Sequence, residues 1–236
     1  MRTIKVRGLV LKEYETGEAD KRILLLCKEY GRVMAYARGA RKPRSKFMAA
    51  AQIFTYSDFV LAQGRGFFSV AQADVIESFY DLRTDYDTLC AAHSIVDACD
   101  KTLWENSDCD QLLKLVLKSL SVLAKKRFQP KQVTAVFLLR FFDFYGFRPN
   151  ADGCAECGAQ GSSYEGKFFW SKEGLLCEKH NSRSEAFEIS KAATTAASFI
   201  LNSELSQAFM FEAVDSVLDE LQRAVQLLWR IHFAVD

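Results

Sequence analysis

Three cysteines and one histidine in the second half of the chain are the residues best suited to chemistry. They occur as Cys154-x2-Cys157 and, 19 residues later, as Cys177-x2-His180. Two pairs at this spacing are typical of facing metal-binding knuckles, and thiolate with imidazole ligands favours zinc. Gly158 follows the first pair and permits the turn that points both sulfurs at one ion. The sequence therefore predicts a zinc site formed by Cys154, Cys157, Cys177 and His180.

The number of ligands indicates the role of this metal. Four protein ligands complete a tetrahedron and leave no position for water or substrate, so a structural zinc is expected. Glu156 lies between two ligands, but the His-x-Glu pair of nucleobase deaminases is absent, and so is His-Glu-x-x-His. No catalytic residue is predicted. A zinc-dependent enzyme that processes nucleic acid is the alternative.

Composition favours a folded protein of the reducing cytoplasm. The chain has 236 residues, of which 49% are apolar, enough to bury the core of one large or two small domains. Its charged first residues do not match a signal peptide, and its longest apolar stretches contain charges, so no membrane segment is expected. The cysteines outside the metal set are predicted to be reduced core residues, namely Cys27, Cys90, Cys99 and Cys109.

Charge is distributed unevenly along the chain. Residues 1–80 contain 14 Lys or Arg and 8 Asp or Glu, whereas residues 81–236 contain 17 and 22. A basic first part on an acidic remainder indicates an anionic partner at one end of the molecule.

The first part of the chain reads as strands. Five short β-type runs are predicted, at residues 4–11, 22–27, 31–37, 53–61 and 67–73. The last two are joined by Gln63-Gly64-Arg65-Gly66, a strong hairpin signal. Short strands without long helices between them predict a small barrel or sandwich over residues 1–80.

Helices are predicted from Thr84 onward. Pro130 begins a helix that is apolar almost all round and therefore central, and Gly146 ends it. Ser190 is predicted to cap a later helix, and a longer amphipathic helix closes the sequence. We thus expect an α-helical domain at residues 81–236, into which a zinc-binding module is inserted at about residues 150–182.

A basic segment is the most informative feature of the first domain. Residues 38–46 contain five cations in nine residues, with Gly39 and Pro43 opposing regular structure. Such a loop could follow a phosphate backbone, although a solvated charged loop is the plainer interpretation. Aromatic residues that could stack on bases, although aromatics in a small barrel mostly fill its core, are Tyr14, Tyr36, Phe47, Phe67 and Phe68. The predicted DNA-binding residues are Arg38, Arg41, Lys42, Arg44 and Lys46.

Several motifs, and their order along the chain, resemble those of the RecO family of recombinational repair proteins. The early motifs are Gly8-Leu-Val-Leu11, Glu18-Ala-Asp20-Lys21 and Ala37-Arg38-Gly39-Ala40-Arg41-Lys42-Pro43. The later ones are Gly146-Phe147-Arg148-Pro149, Cys154-Ala-Glu-Cys157-Gly158 and Gly174-Leu-Leu-Cys177. The likeness runs through the chain, but beyond residue 185 it is only a generic helical pattern.

This resemblance implies a fold, a function and partners. It implies an N-terminal five-stranded OB-fold barrel followed by a helical domain with an inserted zinc module. It implies a non-enzymatic recombination mediator that binds single- and double-stranded DNA and anneals strands. The implied protein partners are RecR, the acidic, hydrophobic C-terminal tail of single-strand-binding protein and, indirectly, the RecA that is loaded onto coated DNA. An RNA-binding OB module is a further alternative. His180 departs from the family, in which many members have Cys at this position and some lack the metal site.

Overall fold

The computed structural model describes residues 2–105, 107–160, 165–181 and 185–233. The chain divides into two compact units, Met1–Lys125 and Lys126–Asp236. The sequence predicts a domain boundary at residue 80, and this boundary stays a prediction. The first compact unit also includes the next two α-helices and ends at Lys125. Within the predicted zinc module, residues 161–164 and 182 lie outside the described ranges.

Five strands of the first unit form a closed barrel. In chain order they are β1 (Thr3–Thr16), β2 (Asp20–Cys27), β3 (Gly31–Ala37), β4 (Tyr56–Gln63) and β5 (Phe68–Glu77). Around the barrel their order is β1-β2-β3-β5-β4, and β4 pairs with β1 to close it. All neighbours are antiparallel except β3 and β5, which are parallel. This is the five-stranded topology of the OB-fold, so the sequence prediction of a barrel is confirmed and the sandwich alternative is wrong.

Several strand boundaries differ from the sequence prediction, and β5 for example ends at Glu77 rather than residue 73. The end of β1 and the start of β4 differ for identifiable reasons. β1 continues to Thr16 rather than ending near residue 11, because Glu13–Thr16 pair with the start of β2 across the turn at Gly17. The fourth strand begins at Tyr56 rather than residue 53, since Phe54 has a φ of 68° and lies in a turn. Both differences arise from pairing and turn geometry, which hydrophobic periodicity does not encode.

The segment between β3 and β4, residues 38–55, closes the interior of the barrel. Its residues Ala40, Phe47, Ala50 and Ala51 belong to the same buried cluster as the inward side chains of the strands. The segment consists of turns rather than a regular helix or strand. Its buried apolar residues therefore fix its position, while its five cations lie on the surface.

Two helices complete the first unit, α1 (Tyr86–Thr102) and α2 (Asp110–Ala124). Lys12 of β1 pairs with Asp97 and Asp100 of α1, at 3.0 and 2.7 Å between the Nζ and carboxylate oxygens. These bonds raise the pKa of Lys12, chiefly through Asp100. Lys12 therefore ties α1 to the outer face of the barrel.

The four cysteines outside the metal set have different environments. Cys27, Cys99 and Cys109 are buried, as predicted, and burial raises the pKa of Cys27 to about 12. The prediction for Cys90 was wrong, because this residue is exposed. It lies on the outward side of α1, whose buried side is formed by residues such as Ala91, Ala92 and Ile95.

Three helices and a small sheet form the second unit. The helices are α3 (Pro130–Phe144), α4 (Lys191–Asn202) and α5 (Asp215–His232), and α3 packs against both others. The strands are β6 (Phe168–Ser171), β7 (Gly174–Cys177) and β8 (Phe187–Ile189), in the order β7-β6-β8. Pro130 begins α3, and the Ser190 hydroxyl caps α4 by accepting from the Ala193 N–H at 3.2 Å. The predictions of a central helix and of the Ser190 cap are confirmed. Within the described ranges, no helix is both long and apolar enough to cross a bilayer.

The Gly146-Phe-Arg-Pro149 motif connects α3 to the small sheet. Gly146 ends α3 with a φ of 80°, a conformation that glycine adopts at little cost. The Arg148 guanidinium then binds the Asp143 carboxylate at 2.8 Å and the Asn202 side-chain oxygen at 2.7 Å. Asn150 exchanges backbone hydrogen bonds with the start of β7, donating to Glu173 and accepting from Leu175. The motif thus positions the chain that enters the metal cluster.

Gly174 is the tightest point of this connection and supplies a test of it. Its φ is 106°, and a Cβ there would overlap the backbone of Asn150. We expect Gly174→Ala to lower the unfolding free energy of the second unit by at least about 2 kcal/mol more than a change at an open glycine. Gly17→Ala is the matched control, since Gly17 also has a positive φ but nothing within 4 Å of an added Cβ. Thermal denaturation of both variants measures the difference, and equal losses would contradict this account.

Candidate metal centre and nucleic-acid interface

The four predicted metal ligands come together at one end of the small sheet. Cys154 and Cys157 lie in a turn that Gly158 completes, with the Gly158 N–H donating to the Cys154 carbonyl at 2.8 Å. Gly158 has a φ of 71°, a left-handed conformation that glycine adopts at little cost and that permits the predicted turn. Cys177 ends β7, and His180 lies in the 3-10 turn that follows. The fold therefore brings two distant pairs of ligands to one point.

The distances in this metal cluster fit one tetrahedral ion. All four ligand atoms lie within 4.8 Å of one another. The Cys157 and Cys177 sulfurs are 3.8 Å apart, and the Cys154 sulfur is 3.6 Å from His180 Nδ1. A tetrahedron with metal–sulfur bonds of about 2.3 Å and metal–nitrogen bonds of about 2.0 Å has edges of about 3.8 and 3.5 Å. The cluster could therefore hold a metal ion, and its four ligands would close the coordination sphere.

Electrostatics within the metal cluster favour thiolates. Burial raises the pKa of Cys154, but hydrogen bonds from the backbone of Cys177, Cys157 and Glu156 outweigh it and lower the value to about 6. For Cys177, burial is likewise outweighed by the hydrogen bond to His180, so its pKa falls below the ordinary value. Thiolate is the form of cysteine that binds metal, so the backbone around Cys154 is arranged to receive a cation.

The basic segment, residues 38–46, lies on the surface of the barrel. All five predicted DNA-binding cations are exposed, whereas the neighbouring Phe47 is buried. The segment is anchored at Gly39, whose N–H donates to the Asp20 carboxylate at 2.6 Å. Arg44 has a φ of 65°, so the chain turns sharply between Lys42 and Lys46. The cations are thus held on a fixed turn rather than on an extended loop.

The five cations of the basic segment differ in whether their side chains have partners within the protein. Arg41 pairs with Glu15 of β1 at 3.0 Å, and Lys46 contacts the Ala71 carbonyl at 3.4 Å and the Phe47 ring. Among the described residues, the side chains of Arg38, Lys42 and Arg44 have no hydrogen-bond or ion-pair partner. Three exposed guanidinium or ammonium groups are therefore available to an external anion.

The predicted aromatic residues divide between surface and core. Phe47 is buried in the barrel and Phe68 packs against its core, so neither offers a free face. Tyr14 and Phe67 are exposed, at 38% and 41%, and Tyr36 meets Phe67 edge-to-face with 5.6 Å between ring centroids. Tyr14 on β1, Tyr36 on β3 and Phe67 in the β4–β5 loop are therefore the surface aromatics of this set.

Sequence reasoning missed one cation that lies among these aromatics. Arg22 of β2 is paired across the sheet with Tyr14 on one side and Tyr36 on the other. Its guanidinium carbon lies 5.2 Å from the centroid of the Tyr14 ring. Successive side chains of a strand point to opposite faces, so the inward Ile23 places Arg22 on the outer face of β2. This alternation is the sequence signal that could have identified Arg22.

Comparison with known proteins shows the family. The model described as Recombination protein O N terminal matches residues 1–79, and the one described as Recombination protein O C terminal matches residues 83–234. The chain belongs to the RecO family. Since the two family models together cover nearly the whole chain, the resemblance seen in the sequence motifs is confirmed, and with it a role in DNA repair.

Curated relatives of the RecO family match over most of their length. The DNA repair protein RecO of Acetivibrio thermocellus is 38% identical over 229 residues, which cover 96% of this chain and 90% of the relative. That of Symbiobacterium thermophilum is 30% identical, with 95% of this chain and 90% of the relative covered. That of Exiguobacterium sibiricum is 34% identical over 77% of this chain and 72% of the relative.

Proposed function

We propose that this protein is a non-enzymatic recombination mediator that binds single- and double-stranded DNA and promotes annealing. With RecR, it would help to load RecA on DNA coated by single-strand-binding protein, as the RecO resemblance implies. The observation that carries the proposal is the basic segment, on which Arg38, Lys42 and Arg44 are exposed without protein partners. A location in the cytoplasm, in association with the nucleoid, follows from this role.

Annealing follows physically from such a surface. Two complementary strands repel each other through their phosphates, and cations that neutralise part of this charge lower the repulsion. Contacts to phosphate carry no sequence information and leave base edges available for pairing. No bond is made or broken in this process, so no catalytic residue is required.

The proposed protein partners rest on the family resemblance. For the acidic, hydrophobic tail of single-strand-binding protein, Lys125, Lys126 and Arg127 are three consecutive exposed cations that could meet its charge. No individual residue is assigned to RecR or RecA.

The proposed DNA-binding surface is tested by removing the three cations without partners. We expect Arg38→Ala/Lys42→Ala/Arg44→Ala to weaken binding to single-stranded DNA and to reduce the slope of log K against log salt by about 2, since each phosphate contact contributes about 0.7. Arg41→Ala should reduce the slope less, because Glu15 already neutralises part of that charge. Fluorescence anisotropy of labelled oligonucleotides over a salt series measures both effects.

A charge-matched variant is the control for this experiment. Lys101→Ala/Lys114→Ala/Lys191→Ala removes the same formal charge from exposed helical positions, where Lys101 pairs with Asp97 and Lys114 with Asp110, and should leave the salt slope unchanged. An unchanged slope in the 38/42/44 variant, or an equal loss in both, would refute the role of the basic segment. A matched RNA oligomer in the same titration separates a DNA mediator from an RNA-binding module.

We further propose that the metal of the Cys154, Cys157, Cys177 and His180 cluster is zinc and that it is structural. The donor set of three sulfurs and one nitrogen suits zinc, and full coordination by protein leaves it no open position. When bound, zinc would link the turn at Cys154 to the end of β7.

Loss of one ligand tests the zinc proposal. We expect the reduced wild-type protein to contain one equivalent of zinc and Cys154→Ser to contain close to none, with a lower unfolding temperature, because metal-binding energy contributes to folding. Cys90→Ser is the matched control, since Cys90 is exposed and outside the cluster. Elemental analysis and thermal denaturation provide the readouts, and a wild type without zinc would contradict the proposal.

A nuclease or deaminase assay with added zinc tests the alternative that the protein is an enzyme. Sustained turnover in this assay would favour that alternative.

A further inference from the structure

A cavity of about 480 Å³ opens at the side of the barrel. It lies where β3 and β5 diverge, because their pairing is limited to Ala35 with Phe68 and Tyr36 with Ser69. Of the earlier residues of β3, Gly31 forms a bridge to Glu105 and the Arg32 N–H donates to the Trp104 carbonyl at 3.1 Å, so this part of β3 pairs with the chain that follows α1 rather than with β5. The wall of the barrel is therefore incomplete between these two strands, and the cavity occupies the gap.

Aromatic side chains line this cavity. Tyr30 and Phe68 line the cavity and also pack against the barrel core. Phe67 lines the cavity as well, and 41% of its surface is exposed. The Phe67 ring is held edge-on by Tyr36 and lies over Gly64, where an added Cβ would come within 3.0 Å of the ring. The turn is closed by the Gly64 N–H, which donates to the Phe67 carbonyl at 2.8 Å. The ring is thus held in place by Tyr36 and Gly64 and remains partly exposed.

Two arginines supply positive charge at the same cavity. Arg2 is exposed, and Arg32 uses one guanidinium nitrogen to donate to Asp100 at 3.3 Å. A guanidinium has five N–H groups, so Arg32 retains donors for a second acceptor. Glu105 is the single acidic residue among those lining the cavity, so the arginines outnumber it.

We propose that this cavity accepts one unstacked nucleotide of single-stranded DNA, with its base against Phe67 and its phosphate toward Arg2 and Arg32. The volume falls within the range of small-ligand pockets, and an aromatic wall beside cations is the combination that binds a base with its phosphate. This inference rests on the proposed DNA binding and deepens it, since the basic segment contacts phosphates alone. It also distinguishes single strands from duplex, in which bases remain stacked.

The position of the cavity agrees with a continuous path for a strand. Phe67 touches Tyr36, which is paired across the sheet with Arg22, and Arg22 lies beside Tyr14. These side chains form a row across the outer face of β1, β2 and β3. A strand stacked along this row would reach the cavity at its Phe67 end.

The test compares an oligothymidine with an abasic strand of equal length, each bound to full-length protein. Alanine replacement of a stacking aromatic costs at least about fivefold in affinity. We expect Phe67→Ala to weaken oligothymidine binding by that factor, to leave abasic binding unchanged, and Phe67→Tyr to restore the wild-type value. Tyr80→Ala, which truncates an exposed aromatic elsewhere in the first unit, should change neither affinity.

The outcomes separate this inference from the proposed function. Equal effects of Phe67→Ala on both strands, or no effect on either, would overturn the cavity proposal while wild-type DNA binding stands. Absence of wild-type binding to both strands in dilute buffer would overturn both. Displacement of oligothymidine from the wild type, but not from Phe67→Ala, by an acidic peptide containing Phe would assign the cavity to protein docking instead.

Photocrosslinking gives a readout that does not depend on affinity. Single-stranded DNA containing 5-iodouracil should crosslink to peptides that carry Tyr30 or Phe67, as identified by mass spectrometry. Crosslinks confined to residues 38–46 would contradict a base in the cavity.

Discussion

The burial of Ala40, Phe47, Ala50 and Ala51 in the barrel is the contact on which the cationic surface depends. The segment between β3 and β4 is a series of turns closed by short-range backbone hydrogen bonds, such as that from the Ser45 N–H to the Lys42 carbonyl. Its apolar side chains fill the interior of the barrel, and the cations between them are thereby held outside. A segment of the same charge without these anchors would spread its cations over many conformations and lose entropy on binding a partner.

Neighbouring carboxylates then determine how much of this charge is available. Glu15 neutralises part of Arg41, and Asp20 secures the backbone at Gly39, so two acidic residues of the β1–β2 hairpin shape the basic segment. The net excess of basic residues in the first part of the chain therefore overstates the charge offered to a ligand. Position and pairing, rather than count, distinguish Arg38, Lys42 and Arg44 from the other cations.

The sequence was sufficient for features that depend on local chemistry. Spacing predicted the metal cluster, because Cys-x2-Cys and Cys-x2-His impose their own turns, and Pro130, Gly146 and Ser190 marked helix ends through backbone and capping rules. The exposure of Cys90, the start of β4 and the division of roles between Arg41 and Lys42 were not predictable. Each depends on which side of a helix or strand faces its neighbours, or on a contact with a residue distant in sequence. The cavity beside Phe67 is of the same kind, since it arises from strand pairing that ends early.

The arrangement of charges suits the proposed mediator better than a permanent DNA clamp. Affinity from phosphate contacts grows with each neutralised phosphate, and a surface with many unpaired cations would hold strands too tightly to release them. Here Arg41 and Lys46 are partly engaged within the protein, which limits the number of strong phosphate contacts on the basic segment. Proposed stacking at Phe67 would add affinity for unpaired bases alone, and that contribution disappears once two strands pair. Annealing would therefore remove the stacking contribution to binding from the product, without any chemical step.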